Sequence, residues 1–160
     1  MSEKGLSGIA VAAFESRMAV EMTRLIERYG GRPSVVPALR ELPIQDNPAA
    51  LRFGVRLIEG QVDVLVLMTG VGATALFDIL KARHPMSSIM VGVKQAAIVA
   101  RGPKPVAALK KLGITPTLIV PEPNTWVDVV STLDEYRPVK GLRVAVQEYG
   151  SSNPEFLEAL

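Results

Sequence analysis

Short apolar runs of strand length alternate with amphipathic helical patterns along the whole chain, and this alternation restricts the fold more than any other feature. Strands that alternate with helices usually lie parallel in one sheet, because each helix carries the chain back to the start of the next strand. Residues 62–68 form the most continuous apolar run, as expected for a central strand that is buried on both faces. The sequence therefore predicts an α/β protein.

The periodicity divides the 160 residues into elements that fit a flavodoxin-like parallel sheet with helices on both faces. The predicted strands cover residues 9–13, 34–39, 62–68, 96–100, 117–120 and 142–147. The predicted helices cover residues 15–29, 47–58, 72–82, 103–112 and 125–133, and a last helix begins at Asn153. The pattern over residues 86–94 is ambiguous and fits a short helix.

The composition excludes several kinds of site. The chain has no cysteine, which rules out disulfides, thiolate chemistry and cysteine-ligated metals. His84 is the single histidine and precedes Pro85 in a polar connection, so we expect neither a metal centre nor a catalytic triad. No apolar run reaches the roughly 18 residues of a membrane span, and we expect a cytoplasmic protein without membrane contact.

Charge is distributed unevenly along the chain, although the net charge is only +2. Residues 79–121 contain no acidic side chain and seven cations: Lys81, Arg83, Lys94, Arg101, Lys104, Lys110 and Lys111. A segment of one sign can concentrate an anionic ligand. A solvated helix face explains Lys110 and Lys111 equally well, whereas Arg101 and Lys104 flank a predicted loop. The expected partner is therefore an anionic small molecule and not a nucleic acid.

Loops at the carboxyl ends of the strands are the expected ligand site, because parallel α/β sheets bind ligands there. Three of these loops, residues 69–72, 101–104 and 149–152, combine glycine with a polar side chain. Glycine permits close backbone approach, and helix N-termini offer N–H donors to an anion. Residues 70–75 also match the dinucleotide fingerprint G-x-G-x-x-A, but the acid expected about 20 residues later is missing. A nucleotide-dependent oxidoreductase is therefore the weakest of the functional hypotheses.

Three segments and one arginine carry a family resemblance. They are VDVLVLMTGVGATALFDIL at residues 62–80, IVARGPKPVAALKKLGI at 98–114, LRVAVQEYGSSNPEFLEAL at 142–160, and Arg17 after the first strand. Together they resemble the uroporphyrinogen-III synthases over nearly the whole chain and in the same order. Pro105 and the Gly70-Val71-Gly72 turn differ from the threonine and the serine-containing turn more usual in that family, which leaves mostly backbone donors.

The resemblance implies a reaction. Uroporphyrinogen-III synthases are hydro-lyases of heme, cobalamin and siroheme biosynthesis that use no metal or cofactor. They cyclise hydroxymethylbilane, a linear tetrapyrrole rich in carboxylates, and invert its last pyrrole ring to give uroporphyrinogen III. Loss of the terminal hydroxyl gives an azafulvene, which reacts with the last pyrrole to form a spiro intermediate.

The resemblance also implies roles for particular residues. It points to Tyr149 as the general acid that protonates the departing hydroxyl, and a substitution of Tyr149→Phe or Thr69→Ala in the full-length enzyme should lower turnover several-fold. The implied substrate-binding residues are Arg17, Thr69, Gly70, Val71, Gly72, Arg101, Gly102, Lys104, Gly150 and Ser151.

The domain organisation follows from the same resemblance, since these enzymes have two α/β lobes that face a cleft. Residues 1–40 are expected to be a strand–helix unit of the other lobe, and residues 41–160 a nearly complete second lobe. The helical pattern at 153–160 ends without a C-cap, which suggests a boundary inside a longer protein. The full-length protein is then expected to be a monomer, whereas the 160 residues alone should show little activity and could form a swapped dimer. The alternative is a non-enzymatic binding or regulatory module of the same fold for an anionic tetrapyrrole or another polycarboxylate.

Overall fold

The computed structural model describes residues 5–37, 47–148 and 150–160 of the chain. The chain divides into two compact units, Met1–Pro43 and Ile44–Leu160. The boundary falls in a stretch of the sequence that contains Pro37, Pro43 and Pro48. Whether the two units belong to different lobes of a larger protein stays a prediction.

Unit 1 is one strand–helix–strand motif. It contains β1 (Ala10–Phe14), α1 (Ala19–Arg28) and β2 (Arg32–Val36), and the two strands pair in parallel. The predicted helix over residues 15–29 begins later than expected, because a carboxylate oxygen of Glu15 accepts the backbone N–H groups of Arg17 at 2.8 Å and Met18 at 3.0 Å. These bonds hold the preceding residues in a turn. The predicted strand at 34–39 begins earlier, and its residues 38–39 lie outside the described residues.

The exposed face of unit 1 carries large apolar side chains beside the polar Arg32 and Ser34. Ile26 of α1 is buried, whereas Phe14 at the end of β1 is 78% exposed and Val36 at the end of β2 is 50% exposed. Alternate residues of both strands are half-buried or exposed, so one face of this small sheet is open. Two strands and one helix bury little apolar surface, and such a unit is marginally stable by itself.

Unit 2 contains a four-stranded parallel sheet in the order β5-β4-β3-β6. Its elements are α2 (Pro48–Ile58), β3 (Val64–Leu67), α3 (Gly70–Lys81), α4 (Met86–Gln95), β4 (Ala97–Ala100), α5 (Pro103–Lys111), β5 (Leu118–Ile119), α6 (Trp126–Tyr136), β6 (Val144–Gln147) and α7 (Pro154–Glu158). The ambiguous segment at 86–94 is a helix. None of the helices in the described part of the chain has the length and hydropathy that a bilayer crossing requires.

The central position of β3 in the sheet explains why the sequence of this strand is apolar without interruption. Val64 and Val66 face a core with Val129 of α6 and Phe156 of α7. Leu65 and Leu67 point to the other face, where they meet a core formed by α2, α3, α4 and α5, including Phe77. Successive side chains of a strand point to opposite faces, so a strand covered on both sides must be apolar at every position. The predicted α/β sheet with helices on both faces is confirmed.

The edge strand β5 is shorter than the predicted strand at 117–120. Its backbone bonds nevertheless continue on either side of Leu118–Ile119. Thr117 donates its N–H to the carbonyl of Ile98 at 2.7 Å and accepts the N–H of Ile98 on its hydroxyl at 3.0 Å. Val120 donates to the carbonyl of Ala100 at 3.0 Å. These bonds fix the start of the loop that leads from β5 to α6.

An ion pair joins the amino ends of β3 and β6. The Asp63 carboxylate accepts the backbone N–H of Arg143 at 2.7 Å and its Nε and Nη2 groups at 2.9 Å each. Arg143 Nη2 also donates to the carbonyl of Gly60 at 2.9 Å. The hydrogen bonds from Arg143 hold the pKa of Asp63 well below its usual range. This bidentate pairing sets the register of two strands that are far apart in sequence.

Replacing Asp63 by asparagine is expected to destabilise the protein at neutral pH but not in strong acid. Because the folded-state pKa of Asp63 is lowered, its carboxylate stabilises the fold fully above the unfolded pKa of about 4 and loses this effect as pH falls through the lower folded value. Urea unfolding of wild type and Asp63→Asn at several pH values measures this. The difference in unfolding free energy should be constant above about pH 5 and shrink below about pH 4.

The matched control is Asp78→Asn. Asp78 pairs with Lys81 at 2.8 Å on an exposed turn of α3, and pairs of this kind contribute little to stability. Equal effects of the two substitutions at pH 7, or an Asp63→Asn difference that persists unchanged to pH 2, would contradict the assigned role of the Asp63–Arg143 pair.

Candidate functional site

The carboxyl ends of the four strands of unit 2 bring the predicted loops together along one edge. The loops after β5, β4, β3 and β6 follow one another in the spatial order of the sheet. The predicted binding residues that these loops carry are Thr69, Gly70, Val71, Gly72, Arg101, Gly102, Lys104, Gly150 and Ser151. Tyr149 belongs to the loop after β6 but lies outside the described residues. We refer to these four loops as the carboxyl edge.

Arg17 is not part of the carboxyl edge. It lies in unit 1, three residues beyond the end of β1 (Ala10–Phe14), and its side chain is exposed. Its backbone N–H is held by the Glu15 carboxylate, and the pKa of Glu15 is lowered by hydrogen bonds from the amides of Met18 and Arg17. A shared site for Arg17 and the carboxyl edge stays a prediction.

The N-terminus of α3 offers hydrogen-bond donors at the carboxyl edge. Thr69 is the N-cap, and its hydroxyl accepts the N–H of Gly72 at 3.0 Å. The amides of Gly70 and Val71 have no acceptor within the described part of the chain. Unpaired amides at the positive end of a helix dipole favour an anion. Because Thr69 both caps α3 and begins this turn, it fixes the direction of the Gly70 and Val71 N–H groups.

The N-terminus of α5 contributes charge more than amides. Pro103 and Pro105 lack N–H groups, which leaves Lys104 as the only one of the first three residues of this helix with an amide donor. Pro105 is buried, Arg101 is half-buried and Lys104 is exposed. Backbone donors are therefore available at the N-terminus of α3, whereas at the N-terminus of α5 the side chains of Arg101 and Lys104 are the main cationic groups.

The cations of residues 79–121 do not form one patch. All seven lie in the described part of the chain, and Arg101 and Lys104 are the two that lie at the carboxyl edge. The others are in or just after the last turns of helices, at the opposite edge of the sheet: Lys81, Arg83, Lys94, Lys110 and Lys111. Cations in last turns interact favourably with the helix dipole. Of the seven cations, only Arg101 and Lys104 therefore lie where they could attract an anion to the carboxyl edge.

Glycines link the neighbouring loops of the carboxyl edge. A Cβ on Gly70 would lie 2.6 Å from the carbonyl oxygen of Lys104, and a Cβ on Gly102 would lie 2.5 Å from Oδ1 of Asn124. A Cβ on Gly72 would overlap the side chain of Gln147. Packing between adjacent loops thus explains the glycine spacing that resembles a dinucleotide fingerprint, and it connects all four loops in series.

Two residues of these contacts, Gln147 and Asn124, were not singled out from the sequence. Gln147 ends the otherwise apolar strand β6, and a polar side chain at that position is a signal that sequence reasoning could have used. Asn124 adopts a φ of 60° after the cis Glu122–Pro123 bond. Its side-chain amide donates to the carbonyl of Val120 at 3.3 Å. Asparagine tolerates this left-handed backbone conformation better than most residues.

The loop after β6 is organised by a carboxylate. Glu148 accepts the hydroxyl of Ser152 at 3.0 Å and the N–H of Asn153 at 3.1 Å. Asn153 in turn accepts the N–H of Phe156 at 3.1 Å, which makes it the predicted N-cap of α7. Gly150 has a φ of +82°, a conformation that favours glycine. These contacts order Glu148, Ser152 and Asn153, whereas the predicted acid Tyr149 lies outside the described residues.

The described carboxyl edge of this parallel α/β sheet carries two cations and two amides that have no acceptor among the described residues, an arrangement suited to an anion. The family can be stated as well. A model of the family described as "Uroporphyrinogen-III synthase HemD" matches residues 20–160, and the chain belongs to this family.

Solved structures agree with this assignment. A mutant uroporphyrinogen III synthase from the extremely thermophilic bacterium Thermus thermophilus is similar to the chain with a TM-score of 0.67 and 27% sequence identity. The wild-type enzyme in another crystal form gives a TM-score of 0.58 at the same identity. Each comparison covers 95% of this chain and 56% of the synthase chain.

One relative matches at higher identity. The uncharacterized protein YjjA of Bacillus subtilis (strain 168) is 31% identical over an alignment of 160 residues that covers 98% of this chain and 57% of the relative. The chain therefore spans a little over half the length of the relatives that it matches.

Proposed function

We propose that the chain binds hydroxymethylbilane at the carboxyl edge of unit 2 and takes part in its cyclisation to uroporphyrinogen III. The proposal is supported most directly by the placement of Arg101 and Lys104 beside the amides of Gly70 and Val71, which have no acceptor among the described residues. The proposal rests equally on membership of the uroporphyrinogen-III synthase family.

The chemistry of the substrate fits this edge. Hydroxymethylbilane is flexible and carries many carboxylates, so an enzyme must curl it and hold it before ring closure. Charge-assisted bonds from Arg101 and Lys104, together with amide donors from Gly70 and Val71, would fix carboxylates on one side of the ligand. Holding the reacting ends together lowers the entropic part of the barrier.

Departure of the terminal hydroxyl requires a proton, and we propose Tyr149 as its donor. Tyr149 follows Glu148, whose carboxylate orders the loop through Ser152 and Asn153. Gly150 and Ser151 come next and would bind the substrate beside it. A positioned general acid accelerates such a step by about 10²–10⁴-fold. The electrons of the breaking C–O bond leave with water, and the resulting azafulvene is attacked by the last pyrrole.

Unit 1 is proposed to belong to the other lobe of the enzyme. The exposed apolar side chains of Phe14 and Val36 are the kind of surface that a larger sheet or further helices would cover. In that arrangement Arg17 would contribute a cation from the other lobe. Because the chain covers 56% of the solved synthases, we propose that these 160 residues bind the tetrapyrrole but cyclise it poorly by themselves.

Incubation with hydroxymethylbilane, followed by chromatographic separation of the uroporphyrin isomers after oxidation, tests this proposal together with a binding titration. We expect saturable binding and little type III isomer from the 160 residues. Formation of type III product at a rate comparable to that of a two-lobed synthase would contradict the proposed division between lobes. Absence of tetrapyrrole binding would contradict the site. Tight binding that never supports type III formation, even when a second lobe is supplied, would favour the binding or regulatory module.

A further inference from the structure

The side chain of Gln147 lies between two loops of the carboxyl edge. Gln147 is the last residue of β6, beside β3 in the sheet, where Leu67 is its register partner. Its Oε1 accepts the backbone N–H of Thr69 at 3.3 Å, and its Nε2 donates to the carbonyl of Glu148 at 2.6 Å. The acceptor and the donor of the Gln147 amide are therefore both hydrogen-bonded. One side chain links the turn after β3 to the loop after β6.

Gly72 makes room for this link. It is buried in the first turn of α3, and a Cβ at this position would overlap the Nε2 atom of Gln147. The neighbouring glycine, Gly70, is limited by a different contact with Lys104. Gly72 thus permits the Gln147 amide to lie across the helix N-terminus, and any larger residue would displace it.

The two partners of Gln147 are next to the groups proposed to act on the substrate. The N–H of Thr69 immediately precedes the unpaired amides of Gly70 and Val71. The carbonyl of Glu148 immediately precedes Tyr149. A shift at either partner would therefore move a carboxylate-binding turn or the segment that holds the candidate acid.

We propose that Gln147 is a positioning residue that holds the residue 69–72 turn and the residue 148–153 loop in a fixed relation for tetrapyrrole binding. The proposal rests on the proposed function for its ligand. Gln147 need not touch the substrate in this role. Its loss should release both loops at once and weaken binding by about tenfold, the change expected from losing one to two hydrogen bonds.

A double-mutant cycle tests the link in the free protein. The variants are Gln147→Ala, Gly72→Ala and their combination, with Gln61→Ala as the control because Gln61 is exposed and bonds to Glu59. Amide hydrogen exchange is read at the hydrogen-bonded N–H groups of Thr69 and Asn153, one in each segment. Both single variants should accelerate exchange at both sites, and the combination should add little to the larger single effect. The Gln61→Ala variant should change neither.

A second variant separates the two hydrogen bonds. Gln147→Glu keeps an acceptor for the Thr69 amide but removes the donor to the Glu148 carbonyl. Exchange should therefore accelerate at Asn153 and stay near the wild-type rate at Thr69. Acceleration confined to one segment in Gln147→Ala, or independent and additive effects in the cycle, would overturn the proposed link.

Titration with uroporphyrinogen III separates this proposal from the proposed function. Wild type that binds, with about tenfold weaker binding in Gln147→Ala and unchanged binding in Gln61→Ala, supports the positioning role. Faster exchange in Gln147→Ala with unchanged affinity would overturn it. If wild type does not bind at all, the proposed function fails, whereas the exchange experiment still decides whether Gln147 joins the two segments.

Discussion

Replacing Arg101 and Lys104 together by alanine is expected to weaken binding of uroporphyrinogen III roughly thirtyfold, since each partly exposed charge contributes about 1 kcal/mol, or about fivefold. These are the two cations of residues 79–121 that lie at the carboxyl edge. Calorimetric titration measures the loss. Added salt should weaken binding to wild type more than binding to the variant, because the variant has lost the groups whose attraction salt screens.

The control for this variant is Lys110→Ala combined with Lys111→Ala. It removes the same formal charge from the last turn of α5, whereas Arg101 precedes this helix and Lys104 lies in its first turn. Affinity should change by less than about threefold, as expected for distant exposed charges. Equal losses in the two double variants would mean that net charge, and not the carboxyl edge, attracts the ligand.

Replacing Gly92 by alanine is expected to destabilise unit 2 by about 2 kcal/mol or more. Gly92 is buried in α4, and a Cβ there would overlap the carbonyl oxygen of Leu57 and lie 2.6 Å from its carbonyl carbon. The obstacle is the backbone of α2, so two helices must move apart. Urea unfolding measures the loss of free energy.

Gly54→Ala is the matched control, because Gly54 is also a buried helical glycine on the facing helix. A Cβ there would meet Leu80 Cδ2 at 2.5 Å, the end of a flexible side chain that can rotate. Both substitutions gain helix propensity of about 1 kcal/mol, so this term cancels in the comparison. Similar stability of the two variants would show that α2 and α4 are not packed as closely as described.

The parts of the fold that depend on local signals could be predicted from the sequence. Asn47, Thr125 and Asn153 were recognised as helix starts, and each accepts a first-turn amide on its side chain. The helix α4 lacked such a signal, since its N-cap Pro85 makes no side-chain bond. The later start of α1 depends on the particular hydrogen bonds of Glu15.

Contacts between distant residues could not be predicted. Asp63 and Arg143 are 80 positions apart, and neither residue type indicates its partner. The strand order that makes them neighbours follows from the packing of the whole sheet. For the same reason, the sequence could not show that five of the seven cations in residues 79–121 lie away from the carboxyl edge.

The sequence predicted which loops lie at the carboxyl edge, but it did not predict how these loops pack against one another. Residues 69–72, 101–104 and 149–152 were expected to meet because each follows a parallel strand, and the described members of all three lie at the carboxyl edge. The glycines were expected to admit a ligand, but Gly70, Gly72 and Gly102 admit neighbouring loops. A glycine shows that something approaches closely, and only the packed structure shows what that is.

Hydrogen exchange of the chain with and without saturating uroporphyrinogen III tests directly whether the ligand binds at the carboxyl edge of unit 2. When the ligand is bound at the carboxyl edge, exchange should slow at the amides of Gly70 and Val71 and at those of Arg101, Gly102, Lys104 and Val106. The variant lacking Arg101 and Lys104 should show a much weaker effect at equal ligand concentration. Failure to bind, or protection confined to the opposite edge of the sheet near Lys110 and Lys111, would contradict the account.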